Sequence, residues 1–152
     1  MQKITPFLLI NGRAEMAMNF YTSVFKNSKV VNVSRSGDNG PLFGATVELD
    51  GERFMLLNTG PNAEFTAAVS FYINCETQDE VDDLWDKLVD GGTPLRCGWL
   101  KDKFGVHWQV IPTALPRYLR DKDKVKSQRV MEAMMQMVKI DVAALDRAYQ
   151  GA

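Results

Sequence analysis

The sequence predicts an α+β fold made of two βαβββ modules and a helical C-terminal tail. The main observation is that the order strand–helix–strand–strand–strand occurs twice, with Pro6 corresponding to Ser70, an offset of 64 residues. Two segments carry apolar residues at the spacing of an amphipathic helix, and the segments around them alternate apolar and polar residues as half-buried strands do. A chain of 152 residues is long enough for one domain or for two small modules that share a core.

The first module is predicted to cover residues 1–62. Its first strand is the apolar stretch 4–10, which is bounded by Asn11-Gly12, and its helix covers 13–25. The three remaining strands of this module are predicted at 29–34, 43–49 and 53–57.

The second module is predicted to cover residues 63–112 and begins with a strand over 67–75. Thr77 and Glu80 form a capping-box pattern, which predicts that a helix begins after Thr77. Gly91-Gly92 is the expected end of that helix, because glycine adopts the left-handed cap without a Cβ clash. Short strands are predicted near 94–101 and 106–111, on either side of the turn 102–105.

Residues 113–152 stand outside the repeat and are predicted to be helical. One helix presents an apolar face, and Asp141 is a plausible N-cap for a final helix. Two interpretations stay open for the apolar face: it covers its own domain, or it forms a dimer contact. The residues of this face are Val130, Met134, Met137 and Val138, with Met131 and Met135 widening it.

Composition excludes several classes of protein. The net charge is −1 and no basic stripe occurs, so we expect no nucleic-acid partner. The longest apolar run, Phe7 to Ile10, is too short to cross a membrane, and no signal peptide is visible, so a cytoplasmic protein is expected. Cys75 and Cys97 have no CxxC partner and are expected to stay reduced.

Particular motifs resemble the vicinal-oxygen-chelate superfamily, which includes glyoxalase, bleomycin-resistance and dioxygenase proteins. The helix motif Asn19-Phe20-Tyr21 and the turn 102–105 are similar to that superfamily's motifs. The segments 57–61, 75–82 and 97–112 resemble the PhnB-like branch labelled 3-demethylubiquinone-9 3-methyltransferase domain. The resemblance implies a glyoxalase-like domain over 1–112 and a homodimer that completes an open cleft, which we expect to be lined by Leu8, Met55 and Leu57.

The resemblance also implies where a metal would bind, on the first and last strands of each module. The corresponding positions are Pro6, Met55 (or its neighbour Leu56), Ser70 and Gln109. The first two offer no ligand and the last two offer only neutral oxygens, whereas divalent ions generally need carboxylate, imidazole or thiolate donors. We therefore predict no tightly bound metal and no cofactor, and weak binding of a divalent metal is left open.

Seven residues are candidates for a small-molecule site. Glu48 and His107 are the catalytic candidates: His107, the one histidine, is either a general base or a structural residue, and Glu48 either lines the cleft or is a solvated strand residue. Lys101 is either an anion-binding residue or an ordinary surface lysine. The candidates for ligand binding are Ser70, Tyr72, Trp99, Lys101 and Gln109.

Three functions follow from these expectations. The first is a small-molecule-binding protein acting as a weak lyase- or isomerase-type enzyme, and the second is a non-catalytic dimer that sequesters its ligand. The third is a methyltransferase acting on a ubiquinone precursor, which the branch label alone suggests. The sequence has no GxGxG motif, and its strand pattern is not that of a doubly wound parallel sheet, so the common S-adenosylmethionine-binding fold is not predicted.

Overall fold

The computed structural model of the chain describes residues 2–152, and it divides the chain into two compact units. The first unit extends to Glu64 and the second covers Phe65–Ala152. Each unit contains one four-stranded mixed sheet. Within the described residues, no helix is both long and apolar enough to cross a membrane.

The first unit is a βαβββ module. In its sheet the strand order is β1-β4-β3-β2, with β1 parallel to β4 and the other neighbours antiparallel. The helix packs on the sheet face that carries the buried alternate residues of β3, Ala45, Val47 and Leu49. The elements are β1 (Phe7–Asn11), α1 (Ala14–Val24), β2 (Lys29–Arg35), β3 (Leu42–Leu49) and β4 (Glu52–Thr59).

The second unit repeats this order and then adds three helices. Its sheet order, β5-β8-β7-β6, repeats that of the first unit. The elements are β5 (Phe71–Cys75), α2 (Gln78–Val89), β6 (Thr93–Pro94), β7 (Trp99–Lys101), β8 (His107–Pro112), α3 (Ala114–Leu119), α4 (Lys124–Met135) and α5 (Val142–Gln150). The predicted α+β class with two βαβββ modules is therefore confirmed, and β1 and β5 begin 64 residues apart, at Phe7 and Phe71.

One prediction about the first sheet was wrong. Leu8 was expected to line an open face together with Met55 and Leu57, but it is buried, with 6% of its surface exposed. The residues beside it in β1, Phe7 and Leu9, are the exposed ones, and they pair with Met55 and Leu57 on β4. Alternation correctly grouped the residues of each strand, but it could not tell which group the helix would cover.

Two strands are shorter than the sequence pattern predicted. The predicted strand 67–75 begins only at Phe71, because Thr66 forms a local turn: its hydroxyl accepts from the Ala68 N–H and its carbonyl from the Val69 N–H. The predicted strand 94–101 is interrupted between β6 and β7. There Cys97 has a positive φ of 62° and Gly98 one of 83°, which strand pairing does not accommodate.

Predicted helix caps are present with one change of partner. The Thr77 hydroxyl accepts a hydrogen bond from the Glu80 N–H, and Asp141 accepts one from the Ala144 N–H. The Glu80 carboxylate accepts from the N–H of Glu76 instead of that of Thr77. These caps depend on neighbours in sequence, which explains why the sequence pattern predicts them.

The tail helices pack on their own unit through a buried apolar cluster, here called the tail cluster. Its members are Ile111, Leu115, Val130, Ile140 and Leu145. Met134 and Met137 pack against this cluster, whereas Met131, Met135 and Val138 are exposed. The first interpretation of the apolar face, coverage of its own unit, is thus observed for its buried half. The N–H groups of Cys97 and Gly98 also donate to the carbonyls of Met137 and Val138.

Both cysteines are free thiols. Cys75 is buried, and burial, reinforced by the negative charge of Glu80, raises its thiol pKa to about 12. Such a thiol is not ionised near neutral pH, so Cys75 acts as a small apolar core residue.

Candidate functional site

Six of the seven predicted site residues lie on one face of the second sheet, which we call the site face. Strand pairing puts Tyr72, Gln109 and Trp99 side by side across β5, β8 and β7. Lys101 and His107 pair directly in the next row. Paired residues of neighbouring strands point to the same side of a sheet, and Ser70, two residues before Tyr72, points to that side too.

Hydrogen bonding links two of these residues and leaves a third without a partner. The Gln109 side-chain amide donates to the Ser70 hydroxyl oxygen over 2.9 Å. His107 is 8% exposed, and its Nδ1 is a buried atom with no hydrogen-bond partner among residues 2–152. Buried polar atoms are nearly always paired, so an unpaired imidazole nitrogen calls for a partner such as a ligand atom.

Aromatic and cationic side chains complete the site face. Tyr72 is 47% exposed, Trp99 is half-buried and Lys101 is exposed. Burial raises the pKa of the Tyr72 hydroxyl, and the positive charge of Arg120 opposes that change. The face thus combines flat apolar surface with hydrogen-bonding groups and positive charge.

Arg120 was not predicted as a site residue. It follows the last residue of α3, in the segment 113–152 for which the sequence predicts only helical structure. No local pattern relates it to Tyr72, which lies 48 residues earlier in the sequence (120 − 72). Its position depends on how α3 packs after β8.

Glu48, the other catalytic candidate, belongs to the first unit. On β3 it lies on the side opposite the buried Ala45, Val47 and Leu49, as the alternation predicted. Its carboxylate forms ion pairs with Arg53 at 3.4 Å and with Lys29 at 4.0 Å, and its side chain is 20% exposed. Two cations therefore already balance this carboxylate within its own sheet.

The donor set at the four expected metal positions does not suit a divalent cation. Pro6 and Met55 provide no strong ligand, and the hydrogen bond between Gln109 and Ser70 links two neutral groups. Among residues 2–152, no three His, Cys, Asp or Glu side chains lie together in a way that could hold a metal ion. Bonds to neutral amide and hydroxyl oxygens do not offset the free-energy cost of removing water from such an ion.

We predict that protein purified without chelator or added metal contains well under one equivalent of transition metal. The reason is the neutral donor set, and elemental analysis by mass spectrometry is the measurement. A full equivalent of zinc, nickel or manganese would contradict the prediction. In that case, loss of the metal in His107→Asn or in Glu48→Gln would identify which side chain recruits it.

Solved structures of low sequence identity show the class of fold. A protein from Pseudomonas aeruginosa superposes with a TM-score of 0.61 at 19% identity, covering 74% of this chain and 98% of its own. The fosfomycin resistance protein FosX from Listeria monocytogenes, solved with Mn(II) and sulfate, superposes with a TM-score of 0.52 at 14% identity, covering 71% and 90%. The chain thus has the fold of the glyoxalase-like, vicinal-oxygen-chelate superfamily, of which FosX is a member.

Sequence comparison identifies the family within this class. A family model described as 3-demethylubiquinone-9 3-methyltransferase matches residues 2–111. A PhnB protein from Bacillus cereus, described by the same methyltransferase name, is 41% identical, with a TM-score of 0.69 and coverage of 74% of this chain and 100% of its own. The chain belongs to this PhnB-like family. No curated protein matches it in sequence.

Proposed function

We propose that the second unit binds a small molecule on the site face and that His107 acts there as a general base. The observation that carries this proposal is the unpaired, buried Nδ1 of His107 on the same face as the hydrogen-bonded pair Gln109 and Ser70. The fold supports it, since FosX, which has this fold, is solved with Mn(II) and a sulfate ion. The family description names a methyltransferase, but neither sheet is the doubly wound parallel sheet of the common methyltransferase fold.

The chemistry that fits these residues is of the lyase or isomerase type. Such reactions begin with removal of a proton from carbon, and an imidazole nitrogen is the side-chain base best suited to that step near neutral pH. Gln109 and Ser70 can hold a carbonyl or hydroxyl group of the ligand by hydrogen bonds. Tyr72 and Trp99 provide flat surfaces for a planar part of the ligand.

A thermal-shift screen with a panel of metabolites tests binding. A ligand at one hundred times its dissociation constant stabilises the protein by about 2.7 kcal/mol, which is readily measured. Tyr72→Ala should abolish the shift, whereas Phe43→Ala, which removes an aromatic ring of similar exposure (56% against 47%) in the first unit, should not. A ligand that stabilises both variants equally would place its site elsewhere.

Turnover of the ligand separates an enzyme from a sequestering protein. With an enzyme, NMR should show consumption of the ligand, and His107→Asn should abolish consumption while binding is retained. Binding without consumption by the unaltered protein would instead favour the second function, a non-catalytic dimer that sequesters its ligand.

The expected cytoplasmic location also stays a prediction.

We also propose that the protein is a homodimer whose interface includes the tail helices or the module sheets. Exposed apolar side chains support each choice: Met131, Met135 and Val138 in the tail, and Phe7 and Leu9 on the first sheet. Exposed apolar surface of this kind often marks a contact, and two-fold pairing is the simplest closed assembly.

Light scattering on the intact chain is expected to give twice the chain mass of 17.1 kDa. Deleting 121–152 should weaken the dimer or cause aggregation, but that deletion also uncovers the tail cluster. Met135→Glu and Phe7→Glu are cleaner tests, because these side chains are about half exposed, at 50% and 51%. The variant that yields a monomer identifies the interface. A mass near 17 kDa for the unaltered protein at micromolar concentration would contradict the proposal.

A further inference from the structure

The site face carries positive charge and no carboxylate. The chain contains 19 Asp and Glu residues, yet none of the strand positions that point to this side of β5, β8, β7 and β6 is acidic. Asp102, which follows Lys101 directly in sequence, is 2% exposed, and its carboxylate accepts a hydrogen bond from the indole N–H of Trp108. The Trp108 side chain points to the opposite side of the sheet. A ligand on the site face therefore meets no negative side chain on the strands beneath it.

Two cations of the site region form no ion pair. Lys101 lies directly across from His107 in the strand register and is exposed. Arg120 follows the last residue of α3, which packs on β8, and it is also exposed. Neither side chain forms a salt bridge within residues 2–152, whereas Lys29, Arg35 and Arg53 of the first unit are paired with carboxylates.

The unpaired nitrogen of His107 is consistent with the same kind of ligand. When Nδ1 carries its hydrogen it is a donor, and an anionic oxygen is the strongest acceptor it can meet. In that tautomer the other ring nitrogen, Nε2, keeps the lone pair with which His107 would act as the base. Lys101 is placed to contact the same oxygen from the neighbouring strand. The Gln109 amide lies in the next row, where it can hold a second oxygen.

We propose that the ligand of this site is a small organic oxyanion, with its carboxylate or phosphate group held by Lys101, His107 and Arg120. The proposal rests on the small-molecule function proposed above and specifies the class of ligand. Its planar or apolar part lies against Tyr72 and Trp99. A neutral aromatic molecule could make the aromatic contacts, but it would leave both cations and Nδ1 without a partner.

Three probes with the same ring and different charge test the proposal: benzoate, phenyl phosphate and neutral benzamide. We expect the two anions to shift the NMR signals of the Trp99 indole and the Gln109 amide, with dissociation constants about tenfold below that of benzamide. The tighter-binding anion shows whether the site prefers a carboxylate or a phosphate group. Raising the salt concentration should weaken both anions and leave benzamide unaffected.

Charge-removing variants identify the residues responsible. Lys101→Met and Arg120→Met should each weaken benzoate or phenyl phosphate by about tenfold, because each removes a charged hydrogen-bond donor. Lys122→Met, at an exposed lysine two residues from Arg120, should leave binding unchanged. Three results would each overturn the proposal. Benzamide and benzoate bind equally, the anions bind unchanged to the double variant Lys101→Met/Arg120→Met, or neither anion binds at millimolar concentration. If benzamide alone binds and Tyr72→Ala abolishes its binding, the small-molecule function stands and only the anionic class is wrong.

Discussion

Replacing Asp102 by alanine is expected to lower the free energy of unfolding by about 4 kcal/mol. The substitution removes the acceptor of three hydrogen bonds, and each buried donor left without a partner costs about 1–3 kcal/mol. One carboxylate oxygen accepts from the backbone N–H groups of Phe104 and Val106, at 2.8 and 3.0 Å, and the other accepts from the indole N–H of Trp108 at 2.9 Å. Asp102 is 2% exposed, so water cannot replace the lost acceptor without opening the turn.

Thermal unfolding followed by circular dichroism measures this effect. For a chain of this length, the expected loss corresponds to a fall in Tm of roughly 10 °C. Asp83→Ala is the matched control: it also removes an aspartate, but one that is 47% exposed and, within residues 2–152, paired only with Lys87 in the next helical turn. That control should change stability by less than about 0.5 kcal/mol. A loss below about 1 kcal/mol in Asp102→Ala would show that the turn rearranges to satisfy its donors.

The same substitution is expected to affect the site. Asp102 closes the turn between β7 and β8, and its neighbours in those strands, Lys101 and His107, are paired across them. When this turn loosens, the site face loses its fixed spacing. A ligand found in the thermal-shift screen should therefore bind more weakly to Asp102→Ala than to Asp83→Ala.

Replacing Gly98 by alanine is the second change with a large expected effect, a loss of about 3 kcal/mol in the free energy of unfolding. A Cβ at this position would lie 2.8 Å from Ile111 Cδ1 and 2.9 Å from Ile140 Cγ1, closer than carbon atoms can approach. Both isoleucines belong to the tail cluster, so they cannot move aside freely. The backbone φ of +83° adds a further penalty for any residue with a Cβ.

Gly37→Ala separates the two contributions to this loss. Gly37 has a similar φ of +78°, but nothing lies within 4 Å of the Cβ position. Its substitution should cost only the backbone penalty, about 1 kcal/mol. The difference between the two variants in urea unfolding then measures the steric part. Equal losses would mean that the tail cluster yields to the added methyl group and packs more loosely than the structure indicates.

The site residues show which features local sequence could predict. Ser70, Tyr72, His107 and Gln109 were selected because alternation along a strand gives two sets of residues, and residues within a set share a face. The pairing of β5 with β8 places Tyr72 beside Gln109, and a hydrogen bond joins Gln109 to Ser70. That these residues bind a ligand stays a prediction. Alternation alone did not reveal that the Nδ1 atom of His107 would be buried without a partner.

By itself, the sequence determined the features that depend on neighbouring residues: the order of helices and strands, the caps at Thr77 and Asp141, and the turn 102–105. These follow from spacing and from short-range hydrogen bonds. Only the tertiary structure decided which face of β1 is covered, so that Leu8 is buried while Phe7 is exposed. It also brought the charge of Arg120 to act on Tyr72 and placed the tail cluster against Gly98. These features depend on packing between segments that lie far apart in sequence. Such packing is decided by the shapes of the side chains and by which of them are buried together, and no local sequence pattern contains that information.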